Sequence, residues 1–204
     1  MERSLDRFTK PPRPARRFAA VALATGLIAL AGCSSSSEDN GPPVLPCTDL
    51  LLRPDLTSPA AGDVYLLQID ATCTTVDVAV YVKDLSGIFT VGFDLVYPAA
   101  QLSYVSFTLG PLLQKDGATI LPFVNPTPGG LQVTASRLPP YLPVTASGSE
   151  ILFTFRFQKV AMGTGAVDFD SSAGSVFPES IQDDTGGFVA ASFGPGHGGT
   201  VLVP

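Results

Sequence analysis

The sequence predicts an all-β fold, an antiparallel sandwich of many short strands. Three observations predict it. Beyond residue 46, apolar side chains recur at every second position, the period of a strand with one face in a core. Runs rich in glycine, proline, serine and aspartate separate those segments. No stretch in this part repeats with the helical period. Many short strands with turns between them pack most simply as two facing antiparallel sheets.

The segments follow in chain order. A short run at Val64–Ile69 leads to the alternation of Val76, Val78, Val80 and Val82 with Asp77, Ala79, Tyr81 and Lys83. Next, Phe89, Val91, Phe93, Leu95 and Tyr97 alternate with Thr90, Gly92, Asp94 and Val96. Gln101–Leu109 follows, then Leu131, Val133 and Ala135 against Gln132, Thr134 and Ser136. Ile151, Phe153, Phe155 and Phe157 form the most aromatic run, and aromatic side chains bury large areas. Ala166–Phe169, Gly187–Phe193 and Thr200–Val203 complete the set. Turns are expected at Asp84–Gly87, Asp116-Gly117, Thr127–Gly130, Ser147-Gly148 and Met162–Gly165.

The first 46 residues have a different character. Arg3, Arg7, Lys10, Arg13, Arg16 and Arg17 precede an apolar run from Phe18 to Ala31. That order is the order of an export signal. The run is shorter than the ~20 residues a membrane-spanning helix needs. Its end, Leu30-Ala31-Gly32-Cys33, resembles the lipobox of bacterial lipoproteins. The resemblance implies cleavage after Gly32, lipidation of Cys33, and a membrane anchor in the cell envelope. Ser34 after the cysteine implies the outer membrane where the cell has one, facing the periplasm or the cell surface. The alternative is an ordinary secreted chain with a chance cysteine. Residues 33–46, rich in serine, acid, glycine and proline, read as a flexible tether. Residues 47–204 read as one folded domain.

Removing residues 1–32 takes away six basic and two acidic residues. Six basic and sixteen acidic remain, a formal charge of −10. Such a chain repels nucleic acid and anionic headgroups. Export would place Cys47 and Cys73 in an oxidising compartment, where they are expected to pair; two free thiols are the alternative.

Catalytic equipment is sparse. His197 is the only histidine and lies in a glycine-rich loop. A lone loop histidine is more often structural or solvent-facing than catalytic. Nucleophile-elbow and phosphate-loop motifs do not occur, and no zinc-ligand set exists. Asp168 and Asp170 share a strand face, and Asp183 and Asp184 share a turn. They read as solvated acids, with a calcium site or a glycosidase pair as the open alternatives. The chain is therefore expected not to be an enzyme and to use no cofactor or metal. Trp is absent, which weakens a sugar-binding reading; Tyr81 is the best exposed aromatic candidate, and Tyr97 falls on the core side.

From about residue 62 onward, the order of segments resembles a cohesin domain. The residues that carry it are Gly62-Asp63-Val64, Thr75–Lys83, Gly92-Phe93-Asp94, Tyr97–Leu102, Gly148–Phe157, Met162–Gly165 and Gly198–Val203. The departure is a missing aspartate between Tyr97 and Pro98. The resemblance implies a nine-stranded jelly roll related to carbohydrate-binding modules, and a sheet face that receives a dockerin module. The family's contacting positions fall on Asp94 and Gly92. The expected partner surface is one exposed face with Gly92, Asp94, Tyr81, Gln132 and Thr134. Binding of a polysaccharide by the same sandwich, and a structural role in the envelope, are the alternatives.

Overall fold

The computed structural model describes residues 47–171 and 179–204. Residues 1–32, Cys33 and the tether expectation for 33–46 lie outside the described residues. Twelve strands are present among them: β1 (Leu51–Pro54), β2 (Val64–Ala71), β3 (Thr75–Lys83), β4 (Thr90–Val96), β5 (Leu102–Leu109), β6 (Ile120–Thr127), β7 (Gly130–Arg137), β8 (Ser149–Lys159), β9 (Gly163–Phe169), β10 (Ser180–Gln182), β11 (Phe188–Val189) and β12 (Gly199–Val203).

Three of these, β1, β6 and β10, are additional to the nine read from the sequence. Each hides for a physical reason. β6 reads ILPFVNPT, and its two prolines argue against a strand because each removes a ladder donor. It is tolerated because β6 pairs only with β7 and leaves its other side open, as an edge strand does. β1 and β10 are only four and three residues long, too short to show a period.

The strands form two sheets. A small sheet runs β2-β3-β8-β5. In the large sheet, β4 is central, with β7 and then β6 on one side. On its other side β9 and β10 share the edge end to end: Phe169 lies opposite Leu95, and Ser180 opposite Gly92. β12 and β1 extend the sheet beyond β9, and β11 beyond β10. All strand pairs are antiparallel.

Between the sheets lies an aromatic core. The Phe93 ring of β4 meets Phe153 edge-on at 5.7 Å and Phe155 at 6.4 Å, both from β8. Phe169 and Phe193 close on the same ring at 5.5 and 6.2 Å. Val76, Val78, Val80 and Val82 are all fully buried, as their alternation requires. Tyr97 packs on Phe157 at 5.1 Å, on the core side as expected. Gly165 lets β9 approach Pro98, because a Cβ there would collide with the proline ring.

Two fastenings hold the margins. Cys47 and Cys73 form a disulfide with Cα atoms 5.7 Å apart. It ties the entry to β1 to the β2–β3 turn. Arg137, at the end of β7, is 1% exposed. Its Nη1 donates to the Leu113 carbonyl at 2.6 Å, and both terminal nitrogens reach the Lys115 carbonyl at 3.3 Å. With Leu112 and Leu113 fully buried, this pins the β5–β6 connection and so positions β6.

Candidate functional site: the outer face of the large sheet

The register places outward side chains of the large sheet in rows across the strands. Leu121 of β6 lies opposite Ser136 of β7, which lies opposite Thr90 of β4. Gln182 of β10 and Phe188 of β11 continue that row. Phe123, Thr134, Gly92 and Ser180 form the next row, and Asn125, Gln132 and Asp94 the one after.

The middle of the face is low and its polar groups are spent. Thr90 and Ser136 hydroxyls bond each other at 2.8 Å. Thr134 donates to the Val91 carbonyl at 3.0 Å, and Asn125 donates to Gln132 at 2.8 Å. The β6 side stands apolar and accessible: Leu121 is 63% exposed and Phe123 49%. At the far edge Phe188 is 77% exposed. None of these three was singled out from the sequence. The only signal was the alternation of Leu121 and Phe123 about Pro122, which the proline obscured.

Carboxylates gather where β4 meets β9 and β10. Burial pushes the Glu179 carboxyl up, and Asp170, Asp168 and Asp94 push it the same way. Asp168 is also raised, by burial first and then by Asp55, against a lowering hydrogen bond from the Phe169 amide. A cleft of about 260 Å³ lies beside this cluster, lined by Asp94, Asp170, Gln132 and the 127–131 turn. Among the described residues no group of three His, Cys, Asp or Glu side chains is placed to hold a metal ion. Asp183 serves its own turn. Its Oδ1 accepts from the Thr185 hydroxyl at 2.7 Å and from the Gly187 amide at 2.8 Å, and these bonds lower its pKa.

The expected partner surface is only partly one surface. Gly92 faces Thr134 and Asp94 faces Gln132 across β4 and β7, so these four share the outer side. Two corrections follow. Asp94 points away from the core but is 7% exposed, and Gly92 is buried as well. β4 is a central strand, so neighbours on both sides screen its outward positions. Tyr81 belongs to β3, in the small sheet, and projects from the opposite side of the sandwich. Its ring stacks on Tyr65 at 5.7 Å and 20°, which occupies one face of it.

His197 is buried rather than solvent-facing. Its Nδ1 lies 3.0 Å from the Ser192 carbonyl and its Nε2 3.9 Å from Asp63. That is the structural role of the two expected for it.

On the outer face of the small sheet the charges of β3 and β8 are paired. Arg156 donates to both Asp77 oxygens, at 2.7 and 2.6 Å. Lys115 pairs with Glu150, at the start of β8 opposite Val82 of β3, at 2.8 Å.

No protein-family model matches the sequence, and none of the curated proteins matches it. Solved structures do match. A type II cohesin dyad from the adaptor ScaA scaffoldin of Acetivibrio cellulolyticus aligns with TM-score 0.55 at 11% identity. The alignment covers 71% of this chain and 49% of the dyad, so the chain spans about half of it. The second type II cohesin module of that scaffoldin aligns with TM-score 0.53 at 12% identity, covering 66% of this chain and 86% of the module. The sixth cohesin of the same organism's scaffoldin B, solved in complex with a dockerin, aligns with TM-score 0.47 at 19% identity, covering 65% and 94%. The described part of the chain has a cohesin-like fold.

Proposed function

We propose that this chain is a non-catalytic binding module that holds a dockerin-type protein partner on the outer face of its large sheet. The carrying observation is the exposure of Leu121 and Phe123 beside a low floor on that face, in a domain of cohesin-like fold. Large apolar side chains exposed side by side on a sheet suit association with a protein surface. The segment order that resembles cohesins supports the dockerin class of partner. The lipobox-like end of the leader supports display from a membrane through lipid on Cys33.

A pull-down from the native secretome tests the reading. Asp94→Lys is a poor control because Asp94 is buried, so Leu121→Asp takes its place. The parent chain is expected to recover a dockerin-bearing protein and the variant to lose it. Recovery of no such protein by the parent would sink the proposal. The anchor is tested separately: Cys33→Ser is expected to move the protein out of the membrane fraction, and an unchanged distribution would refute it.

A further inference from the structure

One end of the sandwich brings together the root of the folded part and an exposed apolar turn. At the root, the disulfide holds Cys47 to Cys73 with Cα atoms 5.7 Å apart. Cys73 lies in the turn between β2 and β3. The next residue, Thr74, accepts the Lys159 amide on its carbonyl at 2.8 Å, which fixes the end of β8 beside the root. Directly after Lys159 comes the β8–β9 turn, Val160-Ala161-Met162. The Val160 and Ala161 amides both turn back to the Gln101 carbonyl, at 2.8 and 3.4 Å. The backbone of the turn is thereby held against the fold while its side chains stand out. Val160 is 58% exposed and Met162 74%.

Turns ordinarily carry polar residues, because they face water. The turns at Asp84–Gly87, Asp116-Gly117 and Asp183–Gly186 each hold an aspartate. Val160–Gly165 holds no charge at all, in a strongly acidic domain. The docking patch lies elsewhere along the strands. Leu121 and Phe188 share the row of Thr90, the first residue of β4. The β8–β9 turn lies beyond Val96, the last residue of β4, because Gly165 abuts Pro98 and Gly163 abuts Gln101. At ~3.3 Å per residue, patch and turn are separated by at least about 20 Å.

We propose that this end rests on the membrane, with the Val160-Ala161-Met162 turn touching the lipid surface. This rests on the reading of Cys33 as a lipid-bearing anchor and adds which part of the domain the lipid meets. Chain length supports the occupant. Fourteen residue steps lead from Cys33 to Cys47, at most about 50 Å when fully extended. The disulfide passes that constraint straight to the β2–β3 turn, and Lys159 brings the apolar turn beside it. One acyl chain alone binds a membrane only marginally, so two small side chains cannot hold one unaided. A short tether raises their effective concentration to the order of a millimolar, where a weak contact is populated. Zwitterionic headgroups fit best, since the acidic chain is repelled by anionic ones. A partner on the Leu121 row is then presented at the end away from the membrane.

The full chain, purified from membranes and reconstituted in phosphatidylcholine vesicles, supplies the test. Met162 is the only methionine besides Met1. Phe188→Met adds a reference of similar exposure at the other end, since Phe188 is 77% exposed. Under chloramine-T, mass spectrometry is expected to show Met162 oxidised several-fold more slowly than residue 188 on vesicles, and equally fast in denaturant. The chain has no tryptophan, so Met162→Trp gives a single emitter. Its emission is expected to shift to the blue and to be lost with brominated acyl chains, whereas that of Phe188→Trp is not. Val160→Trp replaces Met162→Trp where a melting curve shows lost stability. Equal oxidation at both sites, in a chain that floats with the vesicles, would overturn the contact and leave the anchor standing. A chain that carries no lipid and does not float would overturn both. Slow oxidation without quenching by brominated lipid would assign the turn to contact between copies and refute the lipid contact.

Discussion

The two outer faces of the sandwich are built from the same kind of strand, yet they treat charge in opposite ways. On the small sheet, Asp77 is held by Arg156 in a two-pronged pair, and Tyr81 rests on Tyr65. On that side the Asp77 charge is met by its own neighbour. On the large sheet, carboxylates collect where β4 meets β9 and β10, and Leu121, Phe123 and Phe188 stand exposed toward its margins. The contrast teaches where to look for a binding surface in this domain: on the face whose apolar side chains are the more exposed.

The largest perturbation removes what both faces rest on. Phe93→Ala deletes the ring that joins the two sheets, and a cost of about 3–5 kcal/mol is expected in denaturant unfolding. Loss of less than about 1 kcal/mol would show that the core repacks and that the faces do not share one support. Next comes Cys73→Ser. Opening the loop of sequence separation 26 should cost roughly 3–4 kcal/mol, read from the same curves. An unchanged midpoint under reducing conditions would contradict the fastening role.

Smaller effects separate the faces. The Glu179 carboxyl is raised above the ordinary 4.5, so the folded state holds its proton more tightly than the unfolded chain. Its contribution to stability is greatest at low pH and is lost as pH rises through the raised value. Glu179→Gln should therefore melt higher than the parent at neutral pH and converge with it near pH 4. A variant equally or less stable at neutral pH would show that the cluster is not strained. On the small-sheet side Glu150 behaves oppositely. Burial pushes it up, but bonds from Lys115 and the Ser147 amide outweigh burial and leave it lowered. Its contribution is present at neutral pH and lost as pH falls below the usual carboxylate range. Glu150→Gln should lower the neutral-pH melting temperature slightly and make no difference in acid. The smallest effect is expected from Asp77→Asn, since Arg156 is exposed and screened by water. Partner binding to the large sheet should not respond to it; a clear loss would move the docking surface to the other side.

Much of this molecule is legible without coordinates. The valines of β3 and the phenylalanines of β8 alternate so regularly that their inward positions follow from the pleat alone. The short strands were not legible, because β10 becomes a strand only by pairing with β4. β6 was hidden by prolines that an edge strand can carry. The candidate site was half legible for a related reason. Outward orientation at Asp94 could be read, but its burial could not, because screening depends on how many neighbours flank the strand.

What the sequence determined by itself is therefore the all-β class, the core-facing set and the acidic character of the folded part. These are properties of local period and composition. Only the tertiary structure decided which strands share a sheet. That decision placed Tyr81 on one side and Thr134 on the other, and brought Leu121 and Phe123 onto the same face as Thr134. Alternation states whether a side chain points inward or outward along its own strand. It carries no information on which of two sheets that strand joins, because pairing is made by backbone groups that every residue possesses.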